Sequence, residues 1–147
     1  AFEGVPATFP GLIEAEKFDE GGEGVDVDIN ALDNGGFNVG HVAVGEYLRY
    51  TVQVREDVDD IHFSFRVSSA SDPGSFRIVT GGTGCDDYTT NLSGLFDVPV
   101  TGGKKRYKTY AVSGNGTGGL RKGKRKIWLC VESPAFNIDS FTMETGN

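Results

Sequence analysis

The chain has 147 residues, of which 37% are apolar, and a formal net charge of −7 at pH 7. This length suits one domain with its own core, and no apolar run approaches the ~20 residues of a membrane-spanning helix. Ten Phe, five Tyr and 22 Gly favour a turn-rich all-β chain over a helical one.

The predicted elements begin with a lead-in over residues 1–11, which we interpret as a linker remnant. A single module is predicted over residues 12–147. Its first strand covers about 12–17, and an acidic, glycine-rich loop follows from Asp19 to Gly36.

Further along the chain, apolar and polar residues alternate over 48–54 and 61–67, which is the period of a half-buried strand. Shorter strands are predicted at 76–80, 95–98, 107–113, 127–131 and 137–143. Strands recur with turn signals between them, and no helical period is sustained. The sequence therefore predicts an all-β fold, a β-sandwich or jelly roll.

Charge is distributed unevenly along the chain. Nine Lys or Arg and no Asp or Glu lie between Lys104 and Lys126. This pattern indicates either solvated strands that face an acidic partner surface or a patch for an anionic polymer. No nucleic-acid-binding motif accompanies the charge, so a nucleic acid is not a predicted partner. Without a long apolar run, a membrane is not predicted either.

The two cysteines, Cys85 and Cys130, stand 45 positions apart, without a Cys-x-x-Cys motif or a Cys/His cluster. Zinc is therefore not predicted. In an oxidising compartment the economical interpretation is one structural disulfide, worth roughly 4 kcal/mol for a loop of this size. We expect a secreted, extracellular protein.

Near each end of the chain, two polar residues are spaced so that they share one face of a strand. Glu14 and Glu16 are two positions apart, as are Asn137 and Asp139, and residues i and i+2 of a strand point the same way. If the first and last strands pair, the three carboxylates converge on one hard cation, and calcium takes ~6–8 oxygen ligands. The spacing leaves open the alternative of paired catalytic carboxylates, which flank a sugar at ~5–9.5 Å in glycosidases.

Few other residues suggest catalysis. His41 and His62 are the only histidines, and no nucleophile–base, His-Glu-x-x-His or phosphate-binding motif is present. We interpret His62 as a surface residue and His41, at the end of a loop, as a possible ligand contact. Tyr107 or Tyr110 can offer a flat face to a sugar, whereas Trp128 is interpreted as structural.

Five stretches together resemble carbohydrate-binding module family 6. They fall in the order of the family pattern and cover essentially the whole domain: Ile13–Asp19, Gly21–Val25, Asn38–Val52, Phe96–Gly103 and Phe136–Phe141. The resemblance implies a galactose-binding-domain-like β-sandwich jelly roll without catalytic activity. It also implies a monomer, tethered to a catalytic domain such as a glycoside hydrolase, that binds a polysaccharide or oligosaccharide.

The same resemblance implies a structural calcium ion, with Glu14, Glu16 and Asp139 as its side-chain ligands. Glycan-binding residues follow in the same way. His41 stands after Asn-x-Gly, where the family has its first stacking aromatic residue. Tyr107 matches the second aromatic residue if an insertion is allowed.

Two polar residues complete the glycan site that the resemblance implies. Asn137 matches the asparagine that hydrogen-bonds the sugar, and Asp28 stands near an acidic loop residue that can contact sugar hydroxyls.

The loop Gly21–Val25 resembles modules attached to β-1,3-glucan and agar hydrolases, so a β-glucan such as laminarin is the first expected ligand. His41 in place of a larger aromatic residue, and the basic residues beside Tyr107, make an anionic algal or cell-wall polysaccharide, uronate-bearing or sulfated, the alternative. A small glycoside hydrolase or lyase using Glu14, Glu16 or Asp28 is the alternative of a different class. A protein- or surface-interaction domain that uses the basic patch is another.

Overall fold

The computed structural model describes residues 4–15, 17–21, 46–112, 116 and 118–146. These residues form strands, turns and loops, and they include no α-helix, so no helix among them could cross a membrane. The strands are β1 (Ala7–Phe9), β2 (Gly11–Glu14), β3 (Glu20–Gly21), β4 (Tyr47–Val54), β5 (Ile61–Ser68), β6 (Gly74–Thr80), β7 (Thr90–Asn91), β8 (Phe96–Val98), β9 (Lys108–Val112), β10 (Gly123–Ser133) and β11 (Asn137–Thr145).

The described strands form two sheets. Sheet A has the order β1-β4-β10-β6-β7, with β3 added to β4 and β8 added to β6. Sheet B has the order β2-β11-β5-β9. One core cluster draws its side chains from both sheets, so the sheets pack face to face. The predicted β-sandwich jelly roll is confirmed.

The strands with the clearest alternation form as the sequence predicts. Every second residue from Leu48 to Val54 is buried, as is every second residue from Ile61 to Val67. One face of each strand thus packs on the core while the other carries polar side chains.

Part of the predicted lead-in belongs to the sandwich instead. Ala7–Phe9 forms β1, which pairs in parallel with β4, and the side chain of Phe9 is buried in the core. The proline of this segment, Pro10, is compatible with a strand, because a residue that precedes proline prefers extended backbone. Since β1 lies at the edge of sheet A, a neighbouring proline is tolerated there.

The two ends of the chain meet in sheet B. Strands β2 and β11 pair antiparallel, with Glu14 opposite Ser140. In β11, Ile138 and Ser140 pair with consecutive residues of β5, so Asp139 is the extra residue of a β-bulge. The pairing on which convergence of the carboxylates depends, between the strand predicted at 12–17 and the last strand, is therefore present.

The predicted disulfide is present and lies on sheet A. Cys85, in the loop between β6 and β7, is bonded to Cys130 of β10. Cys130 packs with Val79 and Trp128, and the exposed fraction of Trp128 is 7%. This burial agrees with a structural role for the tryptophan.

Candidate functional site

Several polar residues meet at the end of sheet B where β5 ends and β9 and β11 begin. Asn137 lies opposite Ser68, and Lys108 lies opposite Val67. Tyr107, directly before Lys108, therefore reaches the same end of the sheet. We call this end of sheet B, together with loop 99–107 between β8 and β9, the loop end.

Hydrogen bonds to the end of β5 fix loop 99–107. The backbone N–H of Thr101 donates to the carbonyl of Ser69 (2.9 Å), and the Thr101 hydroxyl accepts from the N–H of Ser69 (3.0 Å). Gly102 has φ = +91°, a conformation that side chains disfavour. The loop then turns back, with the N–H of Arg106 donating to the carbonyl of Gly103 (3.1 Å).

The carbonyl of Lys104 connects this loop to the strands. It accepts hydrogen bonds from the buried Ser68 hydroxyl (2.7 Å) and from the Nδ2 amide of Asn137 (3.3 Å). These contacts orient the amide of Asn137. Its Oδ1 atom has no hydrogen bond to any described residue, so an acceptor remains for a ligand hydroxyl.

Arg66 lies beside Tyr107 on the outer face of β5. Its guanidinium carbon is 5.2 Å from the centre of the Tyr107 ring, which is the geometry of a cation–π contact. Its Nε donates to Oδ2 of Asp139 at 2.9 Å. The arginine thus links the aromatic residue of the loop end to the carboxylate at the bulge.

The other aromatic and histidine candidates lie elsewhere. Tyr110 packs against the core, with its ring 6.1 Å from that of Phe96, so Tyr107 is the tyrosine at the loop end. His62 is a surface residue, as predicted, with its Nε2 3.5 Å from a carboxylate oxygen of Asp60.

Two of the three predicted metal ligands lie on neighbouring strands. Burial raises the pKa of Asp139; the Arg66 guanidinium opposes that rise, and the negative charge of Glu14 adds to it. The carboxylates of Glu14 and Asp139 therefore repel one another electrostatically. Glu14 also pairs with the ammonium group of Lys17 at 2.6 Å.

These carboxylates fit a hard cation in their chemistry. Two carboxylates, the type of oxygen donor that calcium prefers, lie on paired strands, with Glu14 opposite Ser140, the residue after Asp139, and each forms an ion pair with one basic side chain. Within the described ranges, no group of three or more His, Cys, Asp or Glu is arranged to hold a metal. Glu16, the third predicted ligand, lies outside the described residues, as do Asp28 and His41.

Three residues of the loop end were not predicted from sequence. Arg66 and Ser68 lie on the polar face of a strand whose alternation was recognised, but alternation does not distinguish a binding residue from a solvated one. Thr101 lies in the stretch Phe96–Gly103 that resembles the family, but its role as an anchor of the loop is seen only in the folded structure.

Comparison with known proteins identifies the family. The model for "Carbohydrate binding module (family 6)" matches residues 14–145. The chain belongs to carbohydrate-binding module family 6. It is therefore a carbohydrate-binding module and not an enzyme, and the hydrolase or lyase alternative is not supported.

Solved structures with the same fold are similar over nearly the whole length of this family 6 module. A β-1,3-glucan-binding module from Bacillus halodurans is 26% identical, with 96% of this chain and 100% of that chain covered and a TM-score of 0.76. A module from Clostridium cellulolyticum in complex with xylose is 26% identical, with 93% and 98% covered and a TM-score of 0.73. CsCBM6-3 from Clostridium stercorarium, in complex with cellobiose, is 22% identical, with 97% and 99% covered and a TM-score of 0.75. No curated protein sequence matches the chain.

Proposed function

We propose that this module binds its polysaccharide at the loop end, with Tyr107 and Asn137 as the central contacts. The observation that supports the proposal is that Tyr107, whose ring contacts Arg66, and Asn137, whose amide donates to the Lys104 carbonyl, belong to the same end of sheet B. An aromatic plane can pack on the C–H face of a sugar, and an amide can hydrogen-bond its hydroxyls. His41 and Asp28 are proposed as further contacts from the family resemblance.

For the ligand, we propose a β-glucan such as laminarin. The 26% identical module from Bacillus halodurans, described as β-1,3-glucan-binding, supports this choice. An anionic polysaccharide, uronate-bearing or sulfated, is the second candidate. It is supported by the exposed basic residues of the loop end: Lys104, Lys105, Arg106 and Lys108.

Tyr107→Ala and Asn137→Ala should each weaken binding to the polysaccharide by about tenfold or more. Each substitution removes one stacking or hydrogen-bonding contact of ~1–3 kcal/mol, and ~1.4 kcal/mol corresponds to tenfold in affinity. Affinity electrophoresis against laminarin, followed by titration calorimetry with oligosaccharides, measures the loss.

Thr142→Ala is the matched control, because Thr142 lies on the outer face of the same strand as Asn137, further from the loop end. It should bind like the unmodified module. If Tyr107→Ala and Asn137→Ala are both retarded as strongly as the control, the proposed site is wrong. Release of new reducing ends after long incubation would contradict the non-catalytic role.

We also propose a structural calcium ion, held by Glu14 and Asp139 with Glu16 as the third side-chain ligand. Chelation should then lower the melting temperature, because calcium binds the folded state and stabilises it by mass action. At a free calcium concentration ~100 times the Kd, the stabilisation is about 2.7 kcal/mol. Thermal unfolding in chelator and in excess calcium measures the shift.

Glu14→Gln is the variant that separates metal loss from other effects of the chelator. It keeps the size of the side chain and removes a charged ligand, so its melting temperature should respond less to calcium than that of the unmodified module. An identical melting curve of the unmodified module in chelator and in calcium contradicts the metal site.

We further propose that the module is secreted as part of a larger protein and holds an attached enzyme on its substrate. The Cys85–Cys130 disulfide supports an oxidising compartment. Fusing the module to a laminarinase catalytic domain should raise activity on insoluble β-glucan more than activity on soluble oligosaccharides. Equal effects on both substrates would contradict the targeting role.

A further inference from the structure

The basic residues between Lys104 and Lys126 fall into two groups, one on and before β10 and one at the loop end. In the group on and before β10, the two arginines have oxygen partners. Arg121 pairs with Asp57 and Asp59, at 3.6 and 2.6 Å. Arg125 donates to the carbonyls of Arg121 (3.0 Å) and Lys122 (2.6 Å). Lys122, Lys124 and Lys126 form no ion pair with a residue that the structure describes, so what distinguishes the loop end is its position beside Tyr107 and Asn137.

The second group of basic residues belongs to the loop end. Lys104, Lys105, Arg106 and Lys108 are all exposed, and none of them forms an ion pair with a residue that the structure describes. The sequence contains no acidic residue between Asp97 and Glu132. Four like charges so close in sequence repel one another, and an anionic ligand would relieve that repulsion.

Arg66 adds a directional donor to these charges. Its Nε is bonded to Asp139 and its guanidinium lies against Tyr107, so two contacts hold the side chain in place. The Nη1 and Nη2 atoms donate no hydrogen bond to a described residue, and 35% of the side chain is exposed. A guanidinium fixed in this way can present its fork of N–H groups to a carboxylate or a sulfate.

The loop is also rigidly attached to the glycan-binding residues. The Lys104 carbonyl accepts from Ser68 and Asn137, so the lysine backbone is part of the loop end rather than a separate tail. Because the backbone of Lys104 contacts Asn137, the positive charges of this loop lie near the proposed glycan site and can attract an anionic group on the sugar.

We infer that Arg66 and the four exposed cations of loop 99–107 and β9 form an anion-binding subsite, which gives the module a preference for glycans that carry carboxylate or sulfate groups. This inference rests on the proposed glycan site at Tyr107 and Asn137. Between the two ligand candidates of the proposed function, it ranks the second, the anionic glycan, as the tighter ligand and laminarin as the weaker one, and it assigns Arg66 a contact with the anionic group.

The experiment compares oligosaccharides of equal length from laminarin, alginate and carrageenan, which are neutral, carboxylated and sulfated. Titration calorimetry at ~0.15 M ionic strength limits the contribution of distant charges. We expect one of the two anionic ligands to bind about tenfold more tightly than the neutral one, which corresponds to one charged hydrogen bond. Preference for alginate identifies a uronate-type ligand, and preference for carrageenan a sulfated one.

The double variant Lys104→Gln/Lys105→Gln should lose most of this preference, because its affinity for the anionic ligand falls much more than its affinity for laminarin oligosaccharides. Lys124→Gln/Lys126→Gln is the matched control, because it makes the same change in charge at exposed positions of β10 in the other sheet. The control should keep the preference. Equal loss in both double variants would overturn the inference, since it would indicate general attraction to polyanions.

Arg66→Lys tests the directional contact, because it keeps the charge and loses the planar fork. It should weaken binding of the preferred anionic oligosaccharide several-fold more than it weakens binding of laminarin. An unchanged preference in both Arg66→Lys and Lys104→Gln/Lys105→Gln overturns the subsite. If Tyr107→Ala changes the binding of no glycan, the proposed function itself fails, which is a distinguishable result.

Discussion

Phe65→Ala should lower the free energy of unfolding by about 3–5 kcal/mol, which is the usual cost of deleting a buried phenylalanine ring. Phe65 is fully buried, and its ring lies 4.8 Å from that of Phe76, 4.9 Å from that of Phe96 and 5.5 Å from that of Phe63. Phe76 and Phe96 belong to sheet A, so the ring joins the two sheets. Its removal leaves a cavity in the middle of the sandwich.

Urea unfolding followed by tryptophan fluorescence measures this loss. Phe65→Leu is the comparison variant, since it keeps most of the apolar volume and should cost clearly less. A loss below about 1 kcal/mol for Phe65→Ala would show that the core can collapse around the missing ring, contrary to the close packing of the interior.

The core and the proposed binding site lie on opposite faces of one strand. Phe65 points between the sheets, whereas Arg66 points outward and contacts Tyr107 and Asp139. Period-two alternation makes this division visible in the sequence, and that is why β4 and β5 could be predicted closely. The same alternation says nothing about which outward residues bind a ligand.

The bulge in β11 could have been predicted from the spacing of the apolar residues in that strand. Ile138 and Phe141 both face the core although they are three positions apart, which is incompatible with an uninterrupted strand. An extra residue between them accounts for this spacing. The spacing does not say whether Asp139 or Ser140 is the extra residue. It also does not predict the hydrogen bond between Asp139 and Arg66, a residue 73 positions away.

Residues of the loop end were predicted to different degrees. Asn137 and Tyr107 were identified through the family resemblance, and the structure brings them to the same end of sheet B. The anchoring of loop 99–107 by Ser68 and Thr101 depends on hydrogen bonds across more than 30 positions. Such contacts follow from the register of the folded strands and carry no local signature.

Replacing both cysteines, in Cys85→Ala/Cys130→Ala, should lower the free energy of unfolding by roughly 4 kcal/mol in the chain-entropy model. The bond closes a loop of 45 positions between β10 and the segment that follows β6. Without it, the unfolded chain gains conformational freedom that folding must remove. Urea unfolding of the oxidised module and of the double variant measures the difference.

Glycan affinity should change little in the same variant, because the disulfide and Trp128 lie on sheet A whereas the loop end belongs to sheet B. Reductant provides the matched control: it should destabilise the unmodified module and leave the double variant unchanged. A large loss of affinity in a variant that is still folded at the assay temperature would contradict this separation. Stability of the module and recognition of its ligand would then depend on one another through the β10 strand rather than being divided between the two sheets.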